Sequence, residues 1–258
     1  MLSRAAAFVR ARPVYAAARA LSSVGDVAQL PVPTHLSTEQ ALASSRITRD
    51  FMRHGVSGRR LDDVATAGGL VQDRWTQALQ ILVGAQAHVA AAFGYAATGE
   101  GIMQYRTHLA GSAAAAPPDA LEELKACDKA IWNEVLLRGF AVAPRPMDAA
   151  KARDFAGRVA AAASSSDGAL GDALSATLAA LPAEPDPSAR AQAVLGVVQR
   201  AMADVQIELS ADLGYDGDDG YVQLQAALVD HMADPVVSHA TQAATHALCA
   251  RAGIAPPS

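Results

Sequence analysis

From residue 37 onward, apolar residues recur at three- and four-residue spacings, and no stretch alternates apolar and polar residue by residue. That pattern predicts helices throughout. Ser37 and Gln40 have the form of a capping box, and no glycine or proline follows until Gly55. His54-Gly55-Val56-Ser57-Gly58 then breaks the first helix. A short helix is expected at about 59–67, a long one at about 70–93 and another at about 102–110, with Gly94 and Gly99 to Gly101 as punctuation. Pro117-Pro118-Asp119 opens a helix that Gly139 stops after Arg138. Beyond a hinge at Pro144 and Pro146, helices fit about 148–163, 168–181, 188–213, 221–233 and 236–252. The expected fold is all-α: a helical bundle of about nine or ten helices.

One local pattern occurs twice. Phe93-Gly94-Tyr95, a polar loop and Gly101-Ile102-Met103-Gln104-Tyr105 resemble Leu213-Gly214-Tyr215, a polar loop and Gly220-Tyr221-Val222-Gln223-Leu224. Each copy follows a long apolar helix and precedes a helix that carries a cysteine, Cys127 or Cys249. The organisation expected from this is two related helical halves, 36–140 and 145–254.

Composition sharpens the fold. Hydrophobic residues make up 51% of the chain and aromatic residues only 5%, because nearly one position in four is alanine. Alanine is the best helix former and has little side chain to bury, so an all-β domain is excluded. Two cysteines exclude a disulfide framework and a four-cysteine zinc site, and they fit a reduced compartment. The stretch 76–99 carries no charge, yet Gln77, Gln80, Gln86 and His88 lie within it. Each would need a partner in hydrocarbon, so the stretch is expected to be a buried helix and not a membrane span.

Residues 1–21 contain Arg4, Arg10, Arg12 and Arg19 and no acid, interleaved with Leu2, Phe8, Val9, Val14 and Tyr15. Arginine-bearing and acid-poor, the segment resembles the presequences of nuclear-encoded mitochondrial proteins. Arg10, Arg12 and Pro13 interrupt any apolar run that could serve a secretory signal. Arg19-Ala20-Leu21-Ser22-Ser23 resembles a mitochondrial processing site, which places the cut after Leu21 and leaves 22–35 as an extended linker. A plastid address is the less favoured alternative. Removing 1–21 leaves 17 basic against 26 acidic residues, a net charge near −9. That sign argues against a nucleic-acid partner.

Chemical motifs are scarce. The seven histidines form no H-E-x-x-H, and His246 finds only Cys249 within one turn, so no metal site is expected. Asp216-Gly217-Asp218-Asp219-Gly220 departs from a calcium loop, with glycine fifth and Ala227 in the twelfth position. No nucleophile elbow and no glycine-rich phosphate loop occurs, and no cofactor is expected. The most pointed feature is basic. Arg46, Arg49 and Arg53 fall within about 60° of arc on the first helix, and Arg59 and Arg60 follow. On an acidic chain this stripe is expected to dock an acidic partner subunit or anionic lipid head groups. The whole pattern resembles, in a general way, helical accessory subunits of the respiratory complexes and of mitochondrial ATP synthase. It implies a non-catalytic peripheral subunit on the matrix side of the inner membrane. The competing expectation is a soluble matrix enzyme or small-ligand binder with a site between the halves, for which His88, Tyr95, Tyr215 and His231 are the candidates.

Overall fold

A computed structural model describes residues 33–165, 169–180, 187–232 and 234–254. The expected transit peptide at 1–21 and most of the linker at 22–35 lie outside the described residues. Within them the chain is all-α, with ten α-helices and no strand. These are α1 (Thr38–His54), α2 (Val56–Thr66), α3 (Val71–Ala92), α4 (Gly99–Ala114) and α5 (Pro118–Phe140), then α6 (Ala149–Ser164), α7 (Ala169–Ala179), α8 (Pro187–Ser210), α9 (Gly217–Val229) and α10 (Pro235–Arg251). A 3₁₀ turn, Ala211–Leu213, extends α8. No helix among the described residues is long and apolar enough to cross a membrane.

Caps explain most of the starts. Ser37 and Gln40 form the full reciprocal capping box at α1. Asp148 accepts from the Lys151 amide at α6, and Asp234 accepts from the Val236 amide at α10. Pro118 and Pro235 stand in the first turn of α5 and α10, where the missing N–H costs nothing. Three starts differ from expectation, the first being α2, which begins at Val56 directly after Gly55 and takes Gly58 into the helix. α4 begins at Gly99 and α9 at Gly217, each several residues early. Thr98 caps α4 by accepting from the Gly101 amide, and Asp218 and Asp219 place negative charge in the first turn of α9. Of the glycines there, Gly101 and Gly220 sit inside helical turns, while Gly217 opens α9 in the left-handed conformation.

The chain divides into two compact units. The first comprises the described residues up to Gly68 together with Thr76–Ala141; the second comprises Gly69–Trp75 and the described residues from Val142 onward. In the first unit α1 packs along α5, and both hold α2. In the second, α6 packs along α10 and against α8. There Phe155, Val159, Leu174, Val198, Val205, Tyr215, Leu224 and Leu248 share one core.

The first helix of each unit buries residues at the same spacing. On α1 these are Ala41, Ser44, Ser45, Thr48 and Met52, with Ile47 buried in addition; on α6 they are Ala152, Phe155, Ala156, Val159 and Ala163. The third helices agree in part: Ala78, Ile81, Ala85 and Ala90 on α3 are matched in spacing by Val198, Ala201, Val205 and Ser210 on α8, whereas Leu82 and Val89 on α3 and Val197 and Ala203 on α8 are buried without a buried counterpart. Small and large side chains alternate differently on the two scaffolds, so the shared feature is a common subset of inward-facing positions.

Candidate functional site

The arginine stripe of α1 lies against α5. Arg46 donates from Nε to Glu123 Oε1 at 2.7 Å and from Nη2 to the same oxygen. Arg53 Nε meets Glu134 Oε1 at 2.9 Å. Between them Arg49 binds Asp50 Oδ1 on its own helix and points Nη1 toward the Cys127 sulfur at 3.9 Å. Cys127 is buried; desolvation pushes its thiol pKa up, against the opposing pull of Arg49. A buried thiol held protonated is a poor nucleophile.

α5 answers with a cation of its own. Arg138 donates from Nε to Asp62 Oδ1 at 2.8 Å and from Nη1 to the Arg53 carbonyl at 2.7 Å, at the C-terminal end of α1. The guanidinium passes so close to Gly58 that a Cβ there would stand 2.2 Å from Nη1. Glycine at 58 therefore leaves the space through which Arg138 ties α1 to α2. The Arg138 hydrogen bond holds the Asp62 carboxyl below the usual carboxylate range.

So the five basic residues divide. Arg46, Arg49 and Arg53 are engaged with side chains of their own unit, whereas Arg59 and Arg60 are exposed on α2. Arg60 borders an open groove between α2 and α3, lined also by Asp63, Gln77, Gln80 and Ile81. Glu123 and Glu134, the acids that engage the stripe, escaped the sequence reading. An acidic stripe along α5 was the available signal.

The four small-ligand candidates fall in different units. In the first, His88 meets the Phe51 ring edge to face at 5.1 Å. Tyr95 Oη lies 2.8 Å from His108 Nδ1, and its ring packs on Tyr105. In the second, Tyr215 directs Oη toward the carbonyls of Arg145 and Pro146, with the Arg145 guanidinium over its ring at 4.6 Å. His231 Nε2 lies 2.8 Å from the Met147 carbonyl. Each is bonded or packed into its own unit. Among the described residues no group of three or more His, Cys, Asp or Glu is placed to hold a metal ion. In the acidic loop Asp218 pairs with Arg74 at 3.2 Å.

The recurring Gly-Tyr elements are two corners of one construction. Gly94 and Gly214 both adopt the left-handed conformation, at φ 88° and 76°. In each corner the tyrosine amide bonds back to the preceding helix, Tyr95 to the Ala90 carbonyl and Tyr215 to the Ser210 carbonyl, both at 3.1 Å. Both tyrosines are buried. The cysteines, in contrast, are not counterparts. Counted from the prolines that open α5 and α10, Cys127 aligns with Ala244 and Cys249 with Trp132.

Comparison with family models, curated proteins and solved structures finds no match.

Proposed function

We propose that this protein is a non-catalytic accessory subunit, peripheral and on the matrix side, of a mitochondrial inner-membrane oxidative-phosphorylation complex, either ATP synthase or the respiratory chain. The observation that carries the reading is the acid-free, arginine-bearing segment 1–21 with its Arg19-Ala20-Leu21-Ser22-Ser23 processing pattern. The use of ionisable side chains supports the non-catalytic part. Arg46, Arg53, Arg138 and Arg153 are committed to ion pairs between helices, and Tyr95, Tyr215 and His231 to packing and backbone carbonyls. Arg59 and Arg60 are the members of the stripe left to face an acidic subunit or anionic lipid head groups.

Native-gel fractionation of isolated mitochondria in mild detergent, with mass spectrometry of every slice, tests this. The expected result is stoichiometric co-migration with a megadalton inner-membrane complex. Migration only as a free monomer or small oligomer would overturn the proposal and leave the small-ligand binder as the reading to pursue. If co-migration is found, Arg59→Glu with Arg60→Glu should weaken it. An unchanged pattern would remove those two residues from the docking surface.

A further inference from the structure

The third and fourth helices of each unit are tied by one side-chain bridge at the same place. In the first unit Gln86 stands eight residues before the corner glycine Gly94, and Arg106 five residues after Gly101. Arg106 donates to Gln86 Oε1 from Nε, at 3.0 Å, and from Nη2. In the second unit Gln206 stands eight residues before Gly214, and Gln225 five residues after Gly220. Gln225 Nε2 donates to Gln206 Oε1 at 2.7 Å. The acceptor is the same amide oxygen in both bridges. The donor is a neutral amide in one and a guanidinium in the other.

The second unit therefore serves as an internal control. A glutamine is sufficient to make this bridge, so the charge at Arg106 is surplus to joining α3 to α4. It is also costly, because a partly buried cation loses hydration that only a good acceptor returns. Among the described residues Gln86 is its one hydrogen-bond partner, and no carboxylate pairs with it. This contrasts with Arg46, Arg53, Arg138, Arg153 and Arg158, each of which meets an acid. Both donors that Arg106 uses converge on one oxygen, which leaves Nη1 and the second Nη2 hydrogen for another acceptor. One turn earlier on α4, Met103 stands 57% exposed, an apolar side chain at the surface of the same helix.

We propose that Arg106, positioned by Gln86, forms a binding site for an oxyanion, a carboxylate or phosphate group held by the guanidinium edge. The planar fork suits either group in a two-point contact, and partial burial strengthens the contact relative to one in bulk water. Desolvation lowers the guanidinium pKa, the direction expected of a cation whose counter-charge arrives from outside.

The site is tested on the full chain by following the side-chain Nε–H resonances of the arginines and, as a reporter retained in every Arg106 variant, the Gln86 side-chain amide resonances, during titration with succinate and, separately, with inorganic phosphate. Ionic strength is held constant with chloride. The Arg106 resonance should shift saturably with at least one of the two, and the anion that saturates it assigns the group. The Arg106→Gln variant, which copies the second unit, should keep its helical content and thermal midpoint while losing the saturable response. Arg106→Lys should weaken the response without restoring the two-point contact. Two outcomes would overturn the proposal. One is no saturable shift with either anion. The other is unfolding or a marked drop in the midpoint of Arg106→Gln, which would make the charge structural.

Discussion

Two pairs of glycines show how much one missing Cβ decides. Gly94 and Gly214 supply the left-handed turn that ends a long helix, and Gly101 and Gly220 then let the next helix start against the corner. A Cβ at Gly101 would stand 2.0 Å from the Ala96 carbonyl oxygen, and one at Gly220 would stand 2.2 Å from the Tyr215 carbonyl carbon. Both obstacles are backbone, so relief requires moving the corner and withdrawing Tyr95 or Tyr215 from its core. Gly101→Ala and Gly220→Ala should each lower stability by ~1–3 kcal/mol, the usual cost of overpacking. Gly157, inside α6, has nothing within 4 Å of its would-be Cβ. Gly157→Ala should instead raise stability by ~0.5–1 kcal/mol through helix propensity and a less flexible unfolded chain. Chemical denaturation of the three variants checks both signs, and a common sign for all three would refute the steric account.

Between elements, the ion-pair ladder from α1 to α5 sets how the two helices align more than how tightly they hold. Arg46 and Glu123 keep 41% and 43% of their side-chain surface exposed, so solvent screens the pair. A double-mutant cycle with Arg46→Ala and Glu123→Ala should give a coupling of only ~0.2–1 kcal/mol. A coupling several times larger would mean that the ladder carries the packing. The ladder also marks where local reading of the chain stops. Helix starts were legible when the signal was local, as at Ser37, where Gln40 completes the box, and at the prolines of α5. The starts at Gly99 and Gly217 were misread because a glycine that breaks a helix and one that clears a neighbouring backbone look alike along the chain. The charge stripe was legible as a row of arginines. Its acids were not, because Glu123 and Glu134 meet it only after α5 folds back along α1. The bridge at Arg106 was hidden for the same reason, since Gln86 and Arg106 are marked by no motif and become a pair only through the corner that joins their helices.

Across the molecule, four of the five tyrosines, Tyr95, Tyr105, Tyr215 and Tyr221, have phenol pKa values raised above the ordinary 10, chiefly by burial. Tyr221 is pushed up to about 12, with the Asp204 carboxylate adding to the effect of burial. A group whose folded pKa lies above its unfolded one contributes stability that is fully present below the unfolded value. That stability is lost as pH rises through the folded value. The protein should therefore hold its thermal midpoint up to about pH 10 and lose it progressively above that. Near-ultraviolet absorbance should show tyrosinate appearing at higher pH in the native chain than in denaturant. Tyr221, with the folded value pushed up to about 12, contributes to the loss from about pH 10 upward, so Tyr221→Phe should make the decline of the midpoint with pH shallower. The onset is set by the unfolded value near 10 and is shared by all four rings, which are spread over both units, so alkaline unfolding should begin in neither core alone. Coincident titration of native and denatured chains would show that these rings are open to solvent. That result would remove the two buried Gly-Tyr corners on which the comparison of the units rests.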